Sequence, residues 1–390
     1  MMIPATYGVA LLLTIVTMVC WGSWANTVKF AKWRFELYYF DFSIGMVVAA
    51  FLAAVTFGSI ENAAARTSST VMFTTMENFY IASRLRMAFA VAGGVVFNLA
   101  NMLLVGAIAV AGMSVAFPIG IGLALIVGVI LTYAINPQGR PELLFGGVIV
   151  MTAAIVACAS AYRSMMRIRD AQAKMAAKEA AEAKEAAAKE AAAKEAAAHP
   201  GVRHRTTAPA SRQPLHPAEK KAPSSWRGII LSLISGLLMG SFFPLVEMSK
   251  QTEFGVGPYL GAVLFGLGVL VSTPLFNLFF MNLPVQGTPI NIKEYFKGTI
   301  GQHLWGLLGG ITWMIGAVAN FVAASTPKEV NVGPAISYGI GQGATLVSTL
   351  WGLLYWKEFQ HSGVKARQLI MLTLALFLIG LVMIAIAPLF

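Results

Sequence analysis

The stretch from Leu85 to Ala134 limits what this chain can fold into more than any other. It reads as two apolar segments joined by a short turn centred on Gly112. Each is long enough to cross a bilayer, which takes about 20 residues at roughly 1.5 Å of rise apiece. Neither reads as a plain anchor. The first carries Gly93-Gly94, Asn98 and Asn101, and the second carries Pro118, Gly120 and Gly122, where an anchor would carry leucine. Similar runs recur, and ten spans are expected, at about 6–28, 37–58, 85–110, 113–134, 143–162, 227–249, 256–281, 302–325, 330–355 and 368–388. Lipid offers backbone groups no partners, so only helices or closed barrels span it, and these runs lack the alternation of barrel strands. The expected fold class is an all-α membrane protein.

Charge supports this. Only 12% of the 390 residues are charged, against about 25% in a soluble domain. The net charge of +11 is concentrated: 14 of the 28 Lys and Arg fall between Arg163 and Arg227, against seven acidic residues. A basic segment beside a membrane is explained by topology and anionic lipid, so no nucleic-acid partner is expected. Lys32, Arg34, Lys293, Lys297, Lys357, Lys365 and Arg367 lie on the same side as that segment, and Arg66, Arg84, Arg86, Arg140, Lys250 and Lys328 on the other. The positive-inside rule then places the central segment in the cytoplasm and both termini outside, in a cell (inner) membrane. No basic run precedes the first apolar segment, so no cleavable leader is expected.

The expected organisation is a first half at 1–163, a linker at 164–226 and a second half at 227–390. Residues 170–198 are mostly Ala, Lys and Glu, with the repeat Glu185-Ala-Ala-Ala-Lys189. Helix propensity and i,i+4 pairing predict a solvated helix continuing out of the fifth span as a semi-rigid spacer. Natural and designed spacers alike take this form. Residues 199–225, rich in Pro, Ser, Thr and basic groups, are expected to lack structure.

Glycines recur in register. Gly22-Ser23 matches Gly240-Ser241, Gly93-Gly94 matches Gly309-Gly310, and Gly120-Ile121-Gly122 matches Gly339-Ile340-Gly341, at offsets of 218, 216 and 219 residues. Each half holds five expected spans, an odd number, so the halves would be inverted repeats. Many secondary transporters are built this way, with the substrate site between the halves near mid-membrane. Small residues also simply let helices pack closely, but that does not explain a constant register.

Polar groups within spans are costly and face the bundle interior or a cavity. Asn98 and Asn101 share one helix face, as do Trp313 and Asn320, Tyr338 and Gln342, and Trp21 and Trp24. Together they offer aromatic faces and amides to a small, flat, neutral heterocyclic solute, or they bond and pack neighbouring helices. Pro118, Gly120, Gly122, Gly339 and Gly341 suit a gate or a helix break, or a packing kink. Glu247 is the candidate proton-coupling carboxylate, or pairs with nearby Lys250. Asp41 and Lys29 are expected to pair at the membrane edge. Cys20 and Cys158 read as small core residues. No phosphate loop, nucleophile arrangement or metal-ligand spacing is present in the sequence, and His199, His204 and His216 form no ligand set. Neither enzyme chemistry nor a cofactor or metal is expected.

At these residues the chain resembles the ureide permease family of the drug/metabolite transporter superfamily. The resemblance lies in Tyr39-Phe-Asp-Phe-Ser43 leading to Ala54-Val-Thr-Phe-Gly58, in Met87 to Val96 followed by Asn98, in Pro141-Glu-Leu-Leu-Phe-Gly146, and in Ser348-Thr-Leu-Trp-Gly352 running to Lys357-Glu358. It implies proton-coupled uptake of ureides or oxo-nucleobases, such as allantoin or uracil, through one central cavity. Plant members carry a phosphate-loop-like motif in the central segment. Here the Ala/Lys/Glu stretch stands there, so nucleotide regulation is not implied. Two other functions fit the residues: a sugar porter of the same superfamily, and a membrane scaffold or receptor acting through the charged segment.

Overall fold

The computed structural model describes residues 1–60, 73–111, 113–198, 225–251, 254–282, 288–326, 330, 332–357, 359–360 and 362–389. The turn at Gly112, the segment 199–224 with its three histidines, and Arg66, Lys328 and Glu358 lie outside them.

The described residues form helices and connections, without strands. In chain order the helices are α1 (Tyr7–Ser23), α2 (Ala25–Ala31), α3 (Phe35–Val55), α4 (Thr75–Ile81), α5 (Arg84–Ala111), α6 (Met113–Ile135), α7 (Pro141–Ala198), α8 (Ser225–Lys250), α9 (Pro258–Asn282), α10 (Ile300–Ala323), α11 (Pro334–Gly341), α12 (Ala344–Leu350) and α13 (Val364–Ile386). Eight helical stretches are long and apolar enough to cross a membrane: α1 with α2, α3, α5, α7, α8, α9, α10 and α13. The fourth expected span coincides with the 23-residue α6, Met113–Ile135, whereas the ninth is divided into α11, α12 and a π-turn at Trp351–Tyr355.

Local chemistry sets the ends. Thr299 and Gln302 form a capping box at the start of α10, as Thr74 and Glu77 do at α4. Proline opens α7, α9 and α11, where its missing N–H costs nothing. Lys32 adopts a left-handed conformation, with φ 48°, and stops α2. The Ala/Lys/Glu stretch continues α7 without a break, and Lys189 pairs with Glu185 at 2.8 Å. Such an exposed pair adds a few tenths of a kcal/mol, so alanine propensity is the main local support.

The bundle is drawn together by backbone-close crossings. A Cβ on Gly310 of α10 would collide with the Phe42 carbonyl of α3, and one on Gly45 with the Leu307 carbonyl. In the same manner a Cβ on Gly94 of α5 would collide with the Phe265 carbonyl of α9, and one on Gly268 with the Val91 carbonyl. Gly22 of α1 lies against Ala344 and Val347 of α12, while Gly240 of α8 lies against Ala124 and Val127 of α6. Small residues permit this approach, and dispersion across the contact replaces the hydrophobic drive that lipid removes.

Contacts define two ends. At one, the Tyr259 hydroxyl donates to the Met2 carbonyl, Arg86 to the Met248 carbonyl, and the Arg140 amide to Ala387. At the other, Arg34 donates to the Thr288 carbonyl, Trp356 to Asn26, and Tyr295 to Asp41. Met165 of α7 packs near Phe359 and Ala366, so the charged part of α7 leaves from this second end.

Candidate functional site

The centre of the bundle is a column of aromatic rings. Trp21 of α1 stacks on Trp313 of α10 at 5.4 Å and 19°, and Trp313 stacks on Phe265 of α9 at 5.7 Å and 6°. Phe97 of α5 lies 4.3 Å from Trp313, and Phe242 of α8 stands edge-on to both Phe97 and Trp21. Five helices, α1, α5, α8, α9 and α10, meet here, each contributing one large ring. Gly316, one turn beyond Trp313 on α10, leaves the gap into which the Trp21 indole fits. The Trp21 Nε1 donates to the Trp313 carbonyl at 3.2 Å, and the Thr17 hydroxyl to the Gly316 carbonyl at 2.9 Å. These bonds tie α1 to α10 at the column.

Of the expected site residues, Trp21, Trp313, Asn320 and Gly341 come together. A Cβ on Gly341 would lie 3.0 Å from the Trp21 ring and 3.3 Å from the Asn320 Nδ2. Asn320 donates to the Ser337 carbonyl at 2.9 Å and accepts from the Ser337 hydroxyl at its own carbonyl, while its Oδ1 is buried without a partner. Tyr338 is wholly buried, stacks on Phe243 at 5.0 Å and donates to the Ala124 carbonyl at 3.2 Å. Gln342 is buried in the turn between α11 and α12. The helix break expected around Gly339 and Gly341 falls just after Gly341. By contrast, α6 stays helical through Pro118, Gly120 and Gly122. There Gly120 gives close approach to Leu104, and Gly122 touches only Ile155, at 3.9 Å.

The other amides bond across helices. Asn98, next to Phe97, donates to the Ser272 hydroxyl at 2.7 Å and to the Val269 carbonyl and Thr273 hydroxyl of α9 at 3.2 Å each. Its Oδ1 too is buried without a partner. Asn101 donates to the Tyr39 hydroxyl at 3.1 Å. Trp24 is half-buried against Phe42 at 4.9 Å, on the α1–α2 break rather than in the column.

Glu247 lies at the first end, 2.9 Å from the Lys250 Nζ, and accepts from Asn136 at 3.3 Å. The pair is close yet poorly aligned, so neither Oε2 nor Nζ makes a directed hydrogen bond. At the opposite end Asp41 does not pair with Lys29, which stands over the Trp356 ring at 4.6 Å. Asp41 instead accepts from the Tyr295 hydroxyl at 2.7 Å and faces His303 Nδ1 at 2.7 Å. Tyr295 belongs to a 3-10 turn, Ile292–Lys297, that precedes α10. Burial, with the bond to Asp41 and its charge, pushes the Tyr295 phenol above its ordinary value, so it remains a donor. Sequence reasoning missed this group, since Asp41 and His303 are 262 residues apart.

A cavity of about 450 Å³ opens between α1, α3 and α10 near Met2, Leu13, Ala53, Tyr259 and Val322. Its apolar walls offer little to a polar solute.

The ureide permease family model matches residues 38–387. Ureide permease 2 of Arabidopsis thaliana is 23% identical over 95% of this chain and 95% of its own length. Ureide permease 5 of the same plant is 25% identical over 96% and 92%, and probable ureide permease A3 of Vigna unguiculata 24% identical over 88% and 94%. The match runs through α5, α8, α9 and α10 of the aromatic column, and the chain belongs to the ureide permease family: it is an integral membrane transporter, not an enzyme.

Proposed function

We propose that this chain imports ureides or oxo-nucleobases, allantoin- or uracil-like, by proton-coupled alternating access. The observation that carries the reading is the ring column beside two buried amide oxygens without partners, Asn98 Oδ1 and Asn320 Oδ1. A ureide is flat, neutral and rich in N–H donors. Its ring would stack where Trp21 and Trp313 now touch, and its N–H groups would satisfy acceptors whose burial is otherwise costly. Tyr338 and Gln342 close the site from α11 and its C-terminal turn, and Asn101 of α5 and Trp24, at the junction of α1 and α2, border its approach. Parting the indoles requires α1 to move against α10. The breaks at Trp24 and after Gly341 provide places to bend.

The proposed frame is ten crossings in two inverted five-helix halves, 1–163 and 227–390. The paired crossings support it. Gly310 against Phe42 is repeated by Gly94 against Phe265, Gly45 against Leu307 by Gly268 against Val91, and Gly22 against Val347 by Gly240 against Val127. The excess of basic residues at the end with the α7 extension supports a cytoplasmic side for that end, in a cell membrane. The coupling proton is assigned to Glu247, a buried carboxylate whose misaligned partner leaves it free to rearrange.

The test is uptake of labelled allantoin and uracil into proteoliposomes, with and without an inward proton gradient and with glucose as competitor. Gradient-driven uptake that glucose leaves unchanged is the expected result. Competition by glucose would shift the reading to a sugar, since stacked indoles also suit a pyranose. Unchanged uptake in both Asn101→Ala and Asn320→Ala would overturn the site.

A further inference from the structure

The two backbone-close crossings described above are matched residue by residue, yet one end of one of them differs in chemistry. Four residues before Gly45 stands Asp41, and four before Gly268 stands Leu264. Seven residues before Gly310 stands His303, and seven before Gly94 stands Met87. Thus the place that Asp41 and His303 hold between α3 and α10 is held between α9 and α5 by Leu264 and Met87. Those two pack in one apolar cluster with Val256, Leu260 and Ala90. The fold therefore makes this crossing without a polar pair. An ion pair taken partly out of water often adds no stability over a well-packed apolar contact, because desolvation offsets the attraction. Its presence at one crossing alone calls for a role other than packing.

The surroundings indicate that role. The Asp41 side chain is 6% exposed and that of His303 27% exposed, so the imidazole meets water at the end where α7 leaves the bundle. The carboxylate joins three elements: its own helix α3, the start of α10 through His303, and the 3-10 turn through Tyr295. Trp33, between α2 and α3, stacks on Tyr295 at 5.8 Å and 16° and meets the imidazole edge-on at 4.9 Å. Nearby charges are otherwise engaged. Arg34 bonds Glu36 at 2.6 Å, Lys297 bonds Glu294 at 2.6 Å, and the Tyr38 hydroxyl is hydrogen-bonded to Thr27. Lys293 is exposed on the far part of the turn. The imidazole is the group here whose kind changes charge between pH 5 and 8.

We propose that Asp41, His303 and Tyr295 form a proton-operated latch that holds this end of the transporter shut. With His303 protonated, the bond to Asp41 is charge-assisted and seats the turn and the start of α10 on α3. When the proton leaves to the solvent at this end, a neutral and weaker bond remains, and the end opens more readily. A rise in pH on this side should then speed opening, which gives internal pH control over a step distinct from coupling at Glu247. The inference rests on the inverted-repeat reading for its comparison of crossings.

Two measurements test it. The first needs no substrate: an imidazolium beside an indole quenches it, so intrinsic fluorescence of the purified protein should step between pH 5 and 8. The step should vanish in Trp33→Phe and in His303→Gln. Absence of the step, or its persistence in His303→Gln, overturns the latch. The second is counterflow of labelled uracil or allantoin with no gradient, varying the pH only on the face bearing the α7 extension. Going from pH 6 to pH 8, wild-type exchange should rise about fivefold, as for loss of the charge assistance on one hydrogen bond. In His303→Gln it should be flat, and Tyr295→Phe, which keeps the ring on Trp33, should exchange faster at pH 6. Wild-type pH dependence retained in His303→Gln overturns the latch. No counterflow of either probe overturns the substrate reading instead, and the fluorescence step still decides the latch.

Discussion

Asn320 and Asn98 are both buried amides with a free oxygen, but their neighbours separate their roles. Asn98 spends its donors on three acceptors of α9, so Asn98→Ala should lower stability by about 0.6–1.7 kcal/mol in a denaturation series in detergent. Asn320 lies beside the Trp21 ring, so Asn320→Ala should cost about as little stability yet cut uptake roughly tenfold, the loss of about 1.4 kcal/mol of substrate contact. Trp313 does both jobs. Trp313→Ala opens a void between Trp21, Phe97 and Phe265 and should cost about 3–5 kcal/mol, whereas Trp313→Phe should fold and bind more weakly. At this scale the stripes of amides and aromatics were legible, because a polar or ring residue in an apolar run has few reasons to be there. Which stripe faced which neighbour was not. Asn98 and Asn101 share a face, yet one turns to α9 and the other to Tyr39.

Elements were legible where length and apolarity agree, as in α3, α9 and α13. Two were not. α4 is short and set by the Thr74–Glu77 box rather than by periodicity. The ninth span reads as one apolar run, yet it breaks after Gly341, where Gln342 and Gly343 make a turn. Glycine in a helix costs only about 1 kcal/mol, so tertiary contacts decide which glycine breaks it. The same glycine code can be tested by crossing. Gly310→Ala and Gly94→Ala place a methyl against a carbonyl of the partner helix and should sharply reduce the yield of folded protein. Gly122→Ala meets only Ile155, at 3.9 Å, and should be tolerated or slightly stabilising. Thermal melting of the purified variants distinguishes these outcomes.

For the whole molecule, α1, α5, α8, α9 and α10 meet in one aromatic column, so transport should depend on the bundle and not on the charged extension. Deleting residues 170–225 should leave uptake intact; a scaffold or receptor would instead lose its role. Glu247→Gln should abolish the response of uptake to a pH gradient while counterflow persists, and a response that survives would remove Glu247 as the coupling group. The same variant strands a buried Lys250 and should lower stability by about 3 kcal/mol or more. Sequence periodicity could not reveal the Asp41–His303 group, because it is created only when the second and eighth expected spans cross.

The 58-residue length of α7 sets a distance. From residue 170 to 198 the rod rises by roughly 40 Å at about 1.5 Å per residue. The Debye length at physiological ionic strength is about 8 Å. Whatever charge the far tip of the rod carries is therefore electrically invisible to the bilayer it stands on, and the field of the lipid headgroups acts only on the first turns, where Arg163, Arg167 and Arg169 are found.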